Sequence, residues 1–179
     1  MNERVGHSIQ GFIHDTEPQA ERFDPPENTG QLVSKPEGGL WTSTLRADGT
    51  SGWLDWCQAE NWGIGEESVL YALEPKDDCS VLVIDSEDDL HTVLESYSRD
   101  ETIFPSRIQM FAPLDFEALQ ERYDAIQLTE NGQLETRFTT PGLYGWDSEC
   151  SLWLRYEFDT VEEIGSVTEI STEGVDADG

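Results

Sequence analysis

The chain has 179 residues, with 38 Asp and Glu against 10 Lys and Arg and a formal net charge of −28 at pH 7. The acidic residues run from end to end between recurrent Trp, Phe, Leu, Ile and Val, which excludes a purely disordered acidic chain and predicts one folded domain with an acidic surface. No apolar run reaches about 18 residues and residues 1–10 lack a signal-peptide core, so we expect neither a membrane span nor secretion.

The net charge also predicts the environment of the protein. Like charges oppose compaction in dilute buffer, whereas about 1 M salt shortens the Debye length to about 3 Å and screens most of the repulsion. We therefore expect a protein of the high-salt cytoplasm of an extreme halophile. Binding to nucleic acid is disfavoured by the charge but not excluded, because long-range electrostatics are weak in high salt.

The cysteine and histidine residues are not arranged like metal ligands. Cys57, Cys79 and Cys150 have no CxxC spacing, and the three histidines are scattered. An odd number of cysteines in an intracellular chain is typical of free, buried thiols. We expect no structural metal.

The N-terminal third predicts two strands and one helix. Strands are expected at Gly11–Asp15 and Leu40–Leu45, separated by a long Pro- and Gly-rich loop over Asp24–Gly39. Ser51 then caps a short amphipathic helix that ends by Gly63. We expect residues 1–10 to be a flexible lead, and residues 11–159 to form a single globular domain.

The middle of the chain predicts two further strands, Ser68–Glu74 and Cys79–Asp85. The unbroken apolar run Val81–Ile84 favours a central strand that is covered on both faces. Ser86 and Asp115 each cap a predicted helix, and the first of these begins with an acidic turn, as the helix dipole prefers.

The remaining segments are predicted mostly as strands. One strand covers much of Phe104–Phe111, a hairpin joins Ala125–Thr129 to Leu134–Phe138 through Asn131-Gly132, and a strand covers Glu149–Tyr156. Residues 160–179 are an acidic segment with room for one edge strand before a frayed end. Strands outnumber helices without regular βα alternation, so the predicted fold class is α+β.

Three segments place polar or aromatic side chains on a strand face opposite apolar neighbours. Their sequences are FIHDT from Phe12, GGLWTS from Gly38 and WDSECS from Trp146. In the third segment, period-two alternation directs Cys150 to the core and Asp147, Glu149 and Ser151 to the opposite face, towards a cleft or solvent.

In this order the three segments resemble the ADP-ribosyltransferase superfamily, in the branch of poly(ADP-ribose) polymerases and diphtheria toxin. That branch carries a His, an aromatic residue and a Glu on three separate strands of a split β-sheet, which is consistent with α+β. The matching positions are His14, Trp41 and Glu149, with Asp147 as the second choice for the acid. Asp15 replaces the usual Gly of the family, and Trp41 replaces its Tyr.

The resemblance implies that the protein binds NAD, cleaves it between nicotinamide and ribose, and transfers ADP-ribose to an unknown acceptor. Glu149 would stabilise the oxocarbenium-like transition state, Trp41 would stack on nicotinamide, and His14 would bond a ribose hydroxyl. The other residues that the resemblance assigns to NAD binding are Thr16, Ser43, Arg46 and Trp53. Lys35, Arg46 and the N-terminus of the Ser51 helix are the groups near the second motif that suit phosphates.

Two alternatives keep the same residues without the chemistry. The protein is then a non-catalytic binding or interaction module of the same fold, or an uncharacterised halophilic α+β domain, of viral or mobile-element origin. His14 and Trp41 would pack in or beside the core, and Glu149 would belong to the acidic surface. The geometry discriminates, because a transferase requires His14, Trp41 and Glu149 to line one concave pocket.

Overall fold

The computed structural model describes residues 8–29, 34–65, 67–100 and 110–168. The strands are β1 (Gln10–His14), β2 (Leu40–Thr44), β3 (Val69–Pro75), β4 (Val81–Ile84), β5 (Ala125–Leu128), β6 (Cys150–Trp153) and β7 (Phe158–Ser166). The helices are α1 (Gly52–Glu60), α2 (Glu87–Tyr97), α3 (Phe116–Gln120) and α4 (Glu130–Thr136), with a short 3₁₀ helix at Ala20–Arg22.

These strands form one seven-stranded sheet in the order β4-β5-β6-β2-β1-β3-β7. Only β4 and β5 run parallel, and every other neighbouring pair is antiparallel. Within the described part of the chain, a mostly antiparallel sheet accompanied by short helices confirms the α+β class. No helix among the described residues has both the length and the apolar character needed to cross a membrane.

Local capping explains where the helices begin. The side chains of Ser51, Ser86 and Asp115 accept hydrogen bonds from the N–H groups of the third helical residues, which confirms the three predicted caps. The end of α1 differs from the prediction. Asn61, rather than Gly63, takes the left-handed conformation that closes the helix, with φ of 50°, because Asn also tolerates this region.

Helices α1, α2 and α3 pack on one side of the sheet, which we call the helical face. Its main cluster combines apolar side chains of the helices and of β4, β5 and β6, and Trp41 of β2 packs against it. Leu54 of α1 joins a smaller cluster with Leu70 and Val167. Buried members of the main cluster include Ile84, Leu90, Phe116, Leu119, Ile126, Leu152 and Trp146.

On the opposite side, which we call the curled face, the sheet curves so that side chains of distant strands come into contact. Trp153 of β6 and Phe158 of β7 have ring centroids 4.4 Å apart, although their strands lie four positions apart in the sheet order. In a flat sheet that separation would be about 19 Å. The sheet therefore curves strongly around a second core, which includes Tyr71 and Leu73.

The predicted hairpin at Asn131-Gly132 is wrong. These residues lie inside α4, which follows β5 directly and is capped by Thr129. The glycine serves close packing instead of a turn, because a Cβ on Gly132 would collide with the carbonyl oxygen of Ile84. The hairpin signal cannot distinguish these two uses of glycine.

The remaining strand predictions are confirmed only in part. The run Val81–Ile84 forms β4, but β4 is the last strand of the described sheet rather than a central one. Its apolar run reflects packing against the helical and curled cores. The strand predicted over Phe104–Phe111 lies mostly outside the described residues. The strand after residue 160 is present as β7, which begins at Phe158 and is the last strand at the other end of the described sheet.

Replacing Gly132 by alanine tests the close approach of α4 to β4. We expect Gly132→Ala to lower the free energy of unfolding by about 1–3 kcal/mol, as overpacking does. Urea unfolding followed by far-UV circular dichroism measures the change. Gly52→Ala is the matched control, because its added Cβ would meet Glu149 at an ordinary 3.5 Å. Equal stability of both variants would contradict the proposed packing.

The charge balance predicts a salt requirement for stability. Arg46, Lys76, Arg137 and Arg155 contact carboxylates, but 10 basic side chains cannot pair with 38 acidic ones. We expect the free energy of unfolding to rise as KCl increases from about 0.1 M to 1 M, since the Debye length falls from about 10 Å to about 3 Å. A neutral osmolyte at equal osmolality is the control, and a stability that KCl leaves unchanged would refute the idea.

Candidate functional site

The strands that carry the three motifs are neighbours in the sheet. Strand β2 lies between β6 and β1, with Trp41 opposite Leu152 and Gly11 opposite Ser43. The sequence order of the motifs thus translates into adjacent strands. Whether their side chains meet depends on the face and on the end of the strand at which each one lies.

His14 and Trp41 lie on opposite faces of the sheet. Phe12, two residues before His14, packs in the curled-face cluster and its ring stacks on the imidazole at a centroid distance of 5.5 Å. Trp41 packs against the helical-face cluster. Trp41 lines a cavity of about 300 Å³, whereas His14 lines two other cavities, of about 190 Å³ and about 370 Å³.

Glu149 lies at the far end of β2 from His14. Its carboxylate accepts hydrogen bonds from the Ser43 hydroxyl at 2.7 Å, from the Thr44 hydroxyl at 2.7 Å and from the Thr44 amide at 3.0 Å. Leu40, which lies beside the smaller His14 cavity, is four residues from Thr44, or about 13 Å along a strand. His14, Trp41 and Glu149 therefore do not line one pocket.

Three other residues assigned to NAD binding make hydrogen bonds or ion pairs with side chains of their own chain. Arg46 contacts Asp55 at 2.5 Å and Glu130 at 3.2 Å, and the hydrogen bond to Asp55 raises the pKa of the guanidinium. Thr16 lies 3.0 Å from the exposed His14 ring. Ser43 bonds Glu149. The guanidinium of Arg46 is thus neutralised by its own chain rather than directed at a phosphate.

Trp41 and Trp53 do come together, in the cavity of about 300 Å³ on the helical face. The third indole of its lining is Trp146, which is 1% exposed and meets Trp41 edge to face at a centroid distance of 4.8 Å. The Trp146 Nε1–H donates to the buried carbonyl of Ser34 at 2.7 Å. The remaining lining residues are Lys35, Thr42, Gly145, Asp147, Ser148 and Cys150.

The wall formed by Trp53 is supported from behind. Its indole stacks on Trp56 at a centroid distance of 5.0 Å with an interplanar angle of 13°, and Trp62 meets Trp56 edge to face at 6.4 Å. The first turn of α1 is also held, because the Trp53 amide donates to the Ser43 hydroxyl at 3.2 Å. The stacking of Trp56 on Trp53 and the hydrogen bond of the Trp53 amide both restrict movement of the Trp53 ring. This wall of the cavity is therefore largely preformed.

The cysteine thiols are unsuited to nucleophilic catalysis. Burial raises the pKa of Cys150, at the cavity wall, far above its usual value, and raises those of Cys57 and Cys79 to about 11. A thiol attacks as the thiolate, which these environments disfavour near neutral pH. No group of His, Cys, Asp and Glu side chains among the described residues is arranged to bind a metal ion.

The sequence prediction of the third strand is corrected at Ser151. This residue was expected on a face that opens to a cleft or solvent, but all four residues of β6 are buried and Ser151 is 2% exposed. The curled face covers it. The sequence predicts no role for Trp146 beyond its place at the start of the WDSECS segment.

Comparison with protein families, curated proteins and solved structures finds no significant match to this chain. The assignment of function therefore rests on the geometry of the cavity and of the Glu149 contacts.

The hydrogen bonds of Glu149 predict a structural role for its carboxylate. We expect Glu149→Gln to lower the free energy of unfolding by about 1–3 kcal/mol. In the wild type the donors of Ser43 and Thr44 bond a charged acceptor, whereas in the variant one of them would face the side-chain NH₂ group of glutamine, which is itself a donor. Chemical denaturation in high salt measures this loss. Glu162→Gln, on the exposed part of β7, is the matched control and should change little; equal effects of the two variants would contradict the role.

Proposed function

We propose that this protein is a non-catalytic binding domain that takes a flat aromatic group of a small ligand into the cavity between Trp41, Trp53 and Trp146. The observation that supports it best is the convergence of three indoles from separate segments of the chain on one concave site. Ligand cavities are mostly apolar, with few polar groups, and this lining has that character.

The size and support of the cavity favour a ring as ligand. About 300 Å³ lies at the lower end of the usual range for ligand pockets, which suits a single or fused ring with a small substituent. Stacking on an aromatic side chain contributes about 1–3 kcal/mol per ring, by analogy with nucleobases. Because Trp56 and Trp146 hold the walls, little conformational entropy is lost on binding.

Binding is favoured over catalysis because the groups around the cavity lack an activated nucleophile or base. Cys150 remains a neutral thiol, the Ser148 hydroxyl donates to the Glu149 carbonyl at 3.1 Å, and Asp147 lies 3.7 Å from Arg137. Nucleophilic and general-base mechanisms need a reactive group within hydrogen-bond reach of a partner that activates it.

NAD cleavage with transfer of ADP-ribose is the second candidate. Two observations favour it: β1, β2 and β6 are adjacent, and the Glu149 carboxylate bonds Ser43, which also receives the amide of the cavity residue Trp53. In this scheme Trp41 stacks on nicotinamide and Glu149 stabilises the ribosyl cation. His14 would contribute only if the ligand reached the opposite face.

Calorimetric titration with 2-naphthamide, an uncharged fused ring, tests the cavity in high-salt buffer. We expect binding that Trp41→Ala or Trp53→Ala weakens about 5- to 150-fold, the equivalent of about 1–3 kcal/mol of stacking. Phe138→Ala is the control, since Phe138 is an aromatic residue that is 79% exposed and is not part of the lining.

Absence of binding, or equal losses in all three variants, would refute the proposed site. NAD is included as a further titrant, with release of nicotinamide followed by chromatography. Hydrolysis by the wild type that is lost in a folded Glu149→Gln variant would overturn the non-catalytic proposal in favour of the second candidate.

A further inference from the structure

We propose that the ligand is an aromatic anion whose charged group is bound by Lys35; this inference rests on the proposed binding function. Lys35 is one of only two lysines in the chain, and it lines the tryptophan cavity with its Nζ 5.5 Å from the centroid of the Trp41 ring. The other lysine, Lys76, is paired with Glu157 at 2.8 Å.

Lys35 differs from Lys76 in having no carboxylate partner among the described residues, although acids outnumber bases almost fourfold on this chain. Arg46, Lys76, Arg137 and Arg155 each contact a carboxylate instead. A lysine directed instead over an indole at the edge of an apolar cavity keeps its charge available to a ligand.

The backbone holds Lys35 at this position. The preceding residue, Ser34, is 4% exposed. Its backbone carbonyl accepts a hydrogen bond from the indole N–H of Trp146. The lysine stem passes over Gly145, where an added Cβ would lie 3.7 Å from Lys35 Cε. Gly145 has φ of +101°, a conformation that residues with side chains rarely adopt. These contacts place the Lys35 stem beside Gly145 and its ammonium at the edge of the cavity.

The other ionisable groups of the lining do not cancel this charge. Asp147 faces Arg137, with its Oδ1 3.7 Å from the guanidinium, and burial keeps the Cys150 thiol protonated. Lys35 is thus the one cation among the described residues of the cavity lining. A planar ring between the indoles that carries a carboxylate or phosphate would place its anionic group against Nζ, where a charge-assisted hydrogen bond forms.

A matched pair of probes separates this inference from the proposed function. Calorimetric titration compares 2-naphthoate with 2-naphthamide, which has the same ring and no charge. We expect the acid to bind about tenfold or more tightly than the amide. Naphthyl phosphate forms a second arm that distinguishes a preference for carboxylate from one for phosphate.

Variants of the two lysines complete the experiment. Lys35→Gln should remove the preference for the acid over the amide, and Lys35→Arg should retain it. Lys76→Gln changes the net charge by the same amount, and Lys76 is not part of the cavity lining. This variant should leave the preference for the acid intact. Equal binding of acid and amide to the wild type, or a preference that survives Lys35→Gln, would overturn the inference and leave the proposed function standing. Failure of all probes to bind would overturn both.

Discussion

The alternation of side chains along β2 is the constraint on which the rest of this structure depends. The strand is hydrogen-bonded on both edges, to β1 and β6, so neighbouring side chains must enter opposite buried faces. Trp41 enters the helical face, whereas the Thr42 hydroxyl accepts from Trp153 Nε1 at 2.9 Å and donates to Gln10 at 2.8 Å on the curled face. A shift of one residue would place Trp41 among these polar groups and leave them unpaired.

The same strand links stability to the candidate site. At the end of β2, the hydroxyls of Ser43 and Thr44 donate hydrogen bonds to the carboxylate of Glu149. The Ser43 hydroxyl also accepts a hydrogen bond from the backbone amide of Trp53. One acidic group thereby joins β6, β2 and the first turn of α1, which carries a wall of the cavity. A residue that resembles a catalytic acid in the sequence thus has a structural task that is sufficient to explain its position.

Charge acts at two scales in this molecule. The net charge of −28 acts on the whole surface through long-range repulsion, which salt screens. Among the described residues that line the tryptophan cavity, Lys35 carries the one ammonium, which lies over the Trp41 ring, and salt screens a partly buried contact pair much less. The net charge of the chain therefore does not by itself describe the electrostatics of this cavity.

The sequence by itself determined the local features of this protein: the α+β class, the caps at Ser51, Ser86 and Asp115, and strands β1, β2, β3 and β6. These follow from short-range periodicity and from side chains that bond their own backbone. The helical setting of Gly132, the position of β4 at the end of the described sheet and the burial of Ser151 arose only in the tertiary structure, because each depends on contacts with distant segments. The separation of His14 from Trp41, and the meeting of Trp41 with Trp146 and Lys35, were decided there too, since strand order and sheet curvature set which faces converge.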